Sequence, residues 1–554
     1  MKDEGMLDER LAYRAAVDGG GIYDRTIGDA LRLAAQAWPT QMALIEGIES
    51  ETRRSWTFAE LLTDAEQVGR ALLSLYSPGD HVAIWAPNSP EWVLVEFGAA
   101  LAGLTLVSIN PAYLAAELGD VLRRSRARGV IVGSQFKGRD MAAAAEEVAE
   151  LVPSLTDIVR VASWQEFLER ADVRYPLPEV SAEQVAQIQY TSGTTGIPKG
   201  ARLTHRNLTN NARLYATTIG AGANDIWVNP MPLFHTAGCG LATLGALQSG
   251  GCQVLPPAFE PGAILELIER ERATMMLCVP TMLGRLMDHR DIGRRNLRSW
   301  RTVTLGGAPV APELVKRAQQ RDMQVSIGYG QTEASPYITH TLPDDPHPDW
   351  VSTVGRPLPH TELKIIGVED GATLPIDTVG EICVRGYCVM KDYYEDLEAT
   401  NSAIDGDGWL HTGDLGSLDE WGYCRVQGRS KDLIIRGGEN IYPREIEDVL
   451  YQHPMIVDAV VVGVPEADWG EVPVGFVILR DGQRTTGAEL EEFCRSKLAS
   501  FKVPRRWIFV DHLPQTASGK VQKFALQKMY VDGAFADTIP KESSGESRLR
   551  SNGG

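Results

Sequence analysis

The chain has 554 residues, 44% hydrophobic and 23% charged, the balance of an ordinary soluble globular protein but too long for one core. Its net charge is −19, from 54 basic and 73 acidic side chains, which argues against a nucleic-acid partner while still allowing a local basic patch for a small phosphorylated ligand. The cysteines (Cys239, Cys252, Cys278, Cys383, Cys388, Cys424 and Cys494) are odd in number, form no CxxC and lack zinc spacing, so buried reduced thiols in a cytoplasmic protein are expected.

In chain order, the start MKDEGMLDER is acidic where a targeting segment would be basic and then apolar. HVAIW (81–85) predicts a strand before a helix opening near Pro90. The apolar run Trp92–Ile109 reaches membrane-spanning length, but Glu96 and Gly103 interrupt it, so a buried helix followed by a buried strand is predicted and no integral membrane span. TLVSI (105–109) precedes the helical AAELGDVLRRS, and GVIVG (129–133) precedes a helix rich in alanine and glutamate. WVNPM, CQVLP and TMMLCVP continue the alternation, separated by helical segments such as GAILELIERE. The pattern predicts an α/β fold with mostly parallel sheets.

Between these blocks lies IQYTSGTTGIPKG (188–200). A strand ending at Tyr190 runs into glycines and hydroxyl residues that close on Lys199. Glycines let successive backbone amides converge on an anion, and Thr191, Ser192, Thr194 and Thr195 add hydroxyl donors. Thr204 is placed to cap a helix starting at His205. A Walker A loop needs GxxxxGK[ST], whereas this lysine lies between Pro198 and Gly200, so P-loop geometry is excluded. Composition alone does not separate a phosphate loop from a flexible linker.

Further along, MPLFHTAG (231–238) carries His235, and LGGAPV (305–310) and GYGQTE (328–333) each follow a β-like run. Gly306, Gly307, Gly328 and Gly330 would let a flat purine lie against the backbone with Tyr329 stacked on it, although two ordinary strand-end turns read the same way. After about residue 351 short strands (TELKIIG, EICVRG, YCRVQG) predict a β-rich subdomain. HTGDLG (411–416) sets Asp414 in a glycine turn. From Lys431 a compact α+β pattern begins, and it ends after LPQTASGK (513–520). Residues 538–554 are poor in apolar side chains and are expected to be disordered.

YTSGTTGIPKG resembles the signature of the adenylate-forming superfamily, which holds acyl-CoA synthetases, aryl-CoA ligases, nonribosomal adenylation domains and luciferases. GYGQTE, HTGDLG, GRSKDLIIRGGENIYPREIE and the final SGK follow in the family's order, so the resemblance covers about residues 25–530. It implies a large N-terminal domain (1–430) of two α/β subdomains plus a β-rich one, and a small mobile α+β C-terminal domain (431–537) carrying a catalytic lysine.

The implied ATP site comprises Thr191, Ser192, Gly193, Thr194, Thr195, Gly196 and Lys199, and the turn Gly307, Ala308 and Pro309. Gly328, Tyr329, Gly330, Gln331 and Thr332, then Asp414, Arg429 and Lys520 complete it. Glu333 would hold Mg2+, a hard cation suited to an oxygen ligand. Asp414 would bind the ribose hydroxyls and Arg429 the ribose and phosphate region. Lys520 is the expected main catalytic residue of adenylation, with His235 and Glu333 beside it and Lys431 as hinge. His235, Gly306, Gly330, Pro336 and Tyr337 are the implied acyl pocket. Gly437, Gly438 and Trp469 are the implied coenzyme A contacts; Lys502, Arg505 and Arg506 read equally well as phosphate ligands or as a solvated cluster.

The activity implied is an ATP-dependent carboxylic acid–CoA ligase forming acyl-AMP and pyrophosphate, then acyl-CoA and AMP. A medium- or long-chain fatty acid is the first expectation and an aryl or cyclic acid the second, with a ligase that loads a carrier protein as a further alternative. The partners are then a small carboxylic acid, ATP and coenzyme A, with homodimerisation left open. Two readings of another class are a kinase or NTP hydrolase, which would release ADP instead of AMP and pyrophosphate, and a regulatory nucleotide-binding protein without catalysis. The presence of Glu333, Asp414, Arg429 and Lys520 speaks against the last.

Overall fold

Two large, mostly parallel sheets organise the first part of the chain in a computed structural model that describes residues 11–48, 53–174, 176–191, 198–343, 345–437, 439–466, 469–515 and 521–535. The chain divides into two units, 1–426 and 427–554. The division falls slightly before the expected boundary after residue 430.

In the first unit, a seven-stranded sheet runs in the order Asp392–Tyr393, Lys199–Thr204, Val185–Thr191, Thr105–Ile109, His81–Trp85, Gly129–Val132, Asp157–Arg160. The middle strands are parallel, with Ile188 opposite Val107 and Val107 opposite Ala83. Their connections include the helices anticipated from sequence: Pro90–Leu101, Ala115–Arg124 and Met141–Ala149. Helix Pro90–Leu101 opens with Ser89 accepting from the Trp92 amide and a proline at its start, and all of its residues are buried. It crosses helix Phe58–Leu73 at Gly98, where an added Cβ would stand 2.6 Å from Val68 Cγ1 and 3.0 Å from the Gly69 nitrogen. Only a missing side chain lets the two backbones meet there. The run Trp92–Ile109 is thus a core helix and a core strand, and among the described residues no helix is long and apolar enough to cross a membrane.

A nine-stranded sheet holds Cys252–Leu255, Ile226–Val228, Met275–Cys278, Thr302–Gly306 and Gln324–Gly330 as parallel neighbours, and antiparallel Tyr337–His340 follows. A third sheet is formed by Tyr13–Arg14, Thr361–Ile366, Gly380–Gly386, Leu410–Leu418 and Cys424–Arg429. All seven cysteines are buried and none is in a disulfide.

The second unit has its own sheet. Gly470–Leu479 lies at its centre, antiparallel to Ile434–Arg436 and Ile456–Glu466 and parallel to Arg506–Phe509. Helices Pro443–Leu450, Gly487–Arg495 and Lys523–Val531 accompany it, and Ile434, Ile446, Leu450, Val461, Val477 and Leu490 form part of its buried core.

Candidate active site

The segment read as a phosphate loop joins two antiparallel strands. Val185–Thr191 extends one residue past the expected end at Tyr190, and the chain returns along Lys199–Thr204, with Thr191 opposite Lys199. This return strand was not anticipated, because its pattern KGARLT is short and half polar. Helix His205–Thr218 follows, capped by Thr204, whose hydroxyl accepts from the Asn207 amide. Lys199 therefore projects from a strand end, and its ammonium lies 5.1 Å from the centroid of the Tyr393 ring. Ser192, Gly193, Thr194, Thr195 and Gly196 lie outside the described residues, as do Gly438 and Lys520.

Glu333 is nine-tenths buried on the short 3-10 turn Thr332–Ala334 that follows strand Gln324–Gly330. The hydroxyl of Tyr393 donates to its Oε1 at 2.8 Å and that of Thr191 donates to the same oxygen at 3.4 Å. Its backbone carbonyl accepts from the Met390 amide. The turn, the phosphate-loop strand and the Asp392–Tyr393 edge strand so converge on one carboxylate. Burial and the neighbouring Glu333 charge push the Tyr393 hydroxyl well above its ordinary range, so it remains a donor. Among the described residues both donors reach Oε1 and none reaches Oε2, which leaves a hard oxygen of the type Mg2+ takes. Tyr393 is a neighbour of the candidate site that sequence reasoning missed. Its position in KDYYED, far from the recognised strings, carried no spacing signal.

Gly306 and Gly328 are paired across neighbouring parallel strands. The ring of Tyr337 lies against both: an added Cβ would stand 2.6 Å from its hydroxyl at Gly306 and 2.5 Å from its ring at Gly328. Asn211 clamps the Tyr337 backbone, accepting from its amide at 3.1 Å and donating to its carbonyl at 2.8 Å. Tyr337 packs edge-on to Tyr215, at 5.3 Å between centroids, and its hydroxyl has no partner among the described residues. Gly307 takes φ +77°, the left-handed region that suits glycine, and opens the turn to Ala308 and Pro309. Gly330 admits no side chain, since an added Cβ would stand 1.8 Å from the Pro336 carbonyl oxygen. Gln331 and Thr332 continue into the Glu333 turn.

The hydroxyl of Tyr329 donates to Asp414 Oδ2 at 2.7 Å. Burial and the Asp414 carboxylate push this phenol well above its ordinary range. The ring read as a stacking platform is thus also the partner of the carboxylate read as a ribose ligand.

His235 is half-buried and precedes a seven-residue π-helix, Ala237–Thr243. Its Nδ1 accepts from the Ala237 amide at 3.1 Å. Asn88 holds the approach, accepting from the Leu233 amide and donating to the Met231 carbonyl. Beneath this turn runs a buried polar chain that the sequence did not reveal. Gln187 donates to Glu96 Oε1 at 2.8 Å, Gln189 donates to Gln187 at 2.7 Å, and Gln189 reaches Cys239 Sγ at 3.3 Å. Burial raises the Glu96 carboxyl well above the ordinary carboxylate range.

In the second unit Arg429 is exposed at the end of its strand, and Lys431 is exposed within the 3-10 turn Ser430–Asp432. Gly437 and Trp469 are brought together: the Gly437 amide donates to the Trp469 carbonyl at 2.8 Å, and a Cβ on Gly437 would meet the indole at 2.8 Å. Arg436 stacks on the same indole at 5.4 Å. Lys502 is paired with Glu445 at 2.7 Å and Arg506 donates to the Tyr530 hydroxyl at 3.2 Å. Those partners favour the structural reading of Lys502 and Arg506 over phosphate ligation.

Residues 31–394 match the AMP-binding enzyme family and residues 445–520 match the AMP-binding enzyme C-terminal domain. The chain is 39% identical over 539 residues to YngI of Bacillus subtilis (strain 168), named as an acyl-CoA synthetase, covering 92% of this chain and 97% of that protein. It is 35% identical over 553 residues to the medium-chain acyl-CoA ligase ACSF2, mitochondrial, of Rattus norvegicus, covering 94% and 89%. Among solved structures it superposes with TM-score 0.84 at 27% identity on the anthranilate CoA ligase AuaEII in complex with anthranoyl-AMP, covering 92% and 98%.

Proposed function

The chain belongs to the AMP-binding enzyme family and is an AMP-forming acyl-CoA synthetase, and from that premise we propose that it activates a medium-chain fatty acid. The observation that supports the choice of acid is Tyr337, whose 5%-exposed ring lies over Gly306 and Gly328 and whose backbone is held by Asn211; in an acyl pocket built on those glycines it would shorten the space for a tail. The rat relative's name agrees with it. An aromatic acid is the second reading, favoured by the likeness to the anthranilate ligase.

The proposed chemistry follows from charge. The acid's carboxylate attacks the ATP α-phosphorus in line, and pyrophosphate leaves into the loop 191–200, where the Thr191 hydroxyl and the Lys199 ammonium meet it. Asp414, oriented by Tyr329, takes the ribose hydroxyls. Glu333 would hold Mg2+ through the oxygen that Tyr393 and Thr191 leave open, and that ion would supply neutralising charge for the phosphates. Lys520 offsets negative charge that builds at the reacting centre. His235, fixed by Asn88 and the π-helix, orients the acid and helps to exclude water from the labile mixed anhydride. A turn of the second unit about Lys431 then replaces Lys520 with the Gly437–Trp469 face, and the coenzyme A thiolate displaces AMP.

Pyrophosphate release with coenzyme A over short, medium, long and aromatic acids tests the reading. The highest kcat/KM should fall on medium-chain aliphatic acids. A maximum on long-chain or aromatic acids sinks the assignment of the acid and leaves the family intact.

A further inference from the structure

On one face of the third sheet, beside the turn that carries Asp414, three side chains with metal-ligand chemistry converge. Glu381 and Cys383 sit two residues apart on strand Gly380–Gly386 and so share a face. His411 stands directly opposite Cys383 on strand Leu410–Leu418. His411 Nδ1 lies 3.0 Å from Glu381 Oε2 and 3.7 Å from Cys383 Sγ, and one ligand atom from each residue lies within 4.8 Å of the others. Among the described residues this is the one such group of three. A tetrahedral ion with bonds of about 2.0–2.3 Å sets its ligands about 3.3–3.6 Å apart, so side-chain adjustment of no more than about 1–1.5 Å would close the set.

The residues around these three hold them in place. Asp405 Oδ2 lies 3.7 Å from His411 Nε2, the ring nitrogen that does not face Glu381, beyond hydrogen-bond distance. Asp405 is itself held by the amides of Asp407 and Trp409. Glu381 uses its other oxygen to accept from the Gly413 amide at 3.0 Å, which turns Oε2 toward His411, and an ion would take the place of that His411–Glu381 contact. Lys364, opposite Cys383 on the next strand, carries its ammonium over the Trp409 ring at 4.3 Å. The side chains of His411 and Glu381 are 28% and 18% exposed, so an ion has an entry path and a water can fill a fourth position.

We propose that Glu381, Cys383 and His411 form a site for a transition-metal cation of the Zn2+ class, separate from the Mg2+ expected at Glu333. One imidazole, one thiol and one carboxylate suit a borderline ion and not a hard one. The site lies at the foot of the turn that carries Asp414: Thr412 donates to the Ile382 carbonyl and accepts from the Asp414 amide. A bound ion therefore clamps this turn and stabilises the folded state by mass action.

The test uses the full chain after chelator treatment, titrated with Co2+ and followed by thiolate-to-cobalt charge-transfer absorption, with Zn2+ added in competition. The expected result is one equivalent with the thiolate band, abolished by Zn2+ but not by Mg2+. Cys383→Ser should lose the band, and His411→Gln should weaken binding at least about tenfold. Asp405→Asn keeps every ligand and should weaken binding less, with an unchanged fold. A wild-type chain without the band, or Cys383→Ser that retains it, overturns the proposal and leaves an ion-pair cluster only.

Discussion

The hydroxyl of Tyr393 donates to Glu333 Oε1 at 2.8 Å, across 60 positions of sequence. Thr191 reaches the same oxygen, so the carboxylate proposed to hold Mg2+ is oriented from two sides before any ligand arrives. Tyr393→Phe removes one donor to a charged acceptor, an interaction of about 1.5–3 kcal/mol. The Mg2+ concentration for half-maximal pyrophosphate release should rise about tenfold with little change in Tm. An unchanged Mg2+ dependence would show that Tyr393 does not position Glu333.

Lys520→Ala should abolish acid-dependent ATP–pyrophosphate exchange and leave thioester formation from supplied acyl-AMP largely intact, because the negative charge it meets belongs to the first step alone. Equal loss of both half-reactions contradicts that role.

Lys431→Pro, at the exposed turn where the chain enters the second unit, should spare adenylate formation and slow thioester formation, since proline fixes the backbone angle a pivot must change. Unchanged overall turnover sinks the hinge assignment.

Tyr337 separates size from polarity. Tyr337→Ala should shift preference toward longer acids and cost about 3 kcal/mol of stability, as for other large buried aromatic truncations. Tyr337→Phe deletes a buried hydroxyl that has no partner among the described residues, so it should keep chain-length preference and hold or raise Tm. A chain-length profile identical in wild type and Tyr337→Ala removes this ring from the pocket.

Glu96 predicts a pH dependence. Its folded pKa lies above the unfolded value, so its contribution is fully present below the ordinary carboxylate range and is lost as pH rises through the folded pKa. Glu96→Gln keeps the acceptor for Gln187 and cannot ionise. The variant should therefore melt higher than wild type at neutral pH, and the gap should narrow as pH falls toward the ordinary carboxylate value near 4.5. A gap that widens on acidification contradicts a protonated Glu96.

The α/β alternation was legible because buried parallel strands read as short apolar runs and their helices as longer amphipathic ones. Thr204 capping His205 and the wholly buried Pro90–Leu101 follow from such local signals. The hairpin around the phosphate loop was not legible, because strand Lys199–Thr204 earns its hydrogen bonds from Val185–Thr191 and Asp392–Tyr393, not from its own pattern.

The linear sequence determined the family, the α/β class and the residues on which adenylation is expected to rest, since a chemistry of anion nests, carboxylates and a terminal lysine leaves ordered strings. Only the tertiary structure decided that Tyr393 supports Glu333, that Tyr329 is bound to Asp414, that Tyr337 covers Gly306 and Gly328, and that Glu381, Cys383 and His411 share one sheet face. Each joins strands or turns far apart in the chain, and side-chain pairing across a sheet depends on register and facing, which no local run of residues encodes.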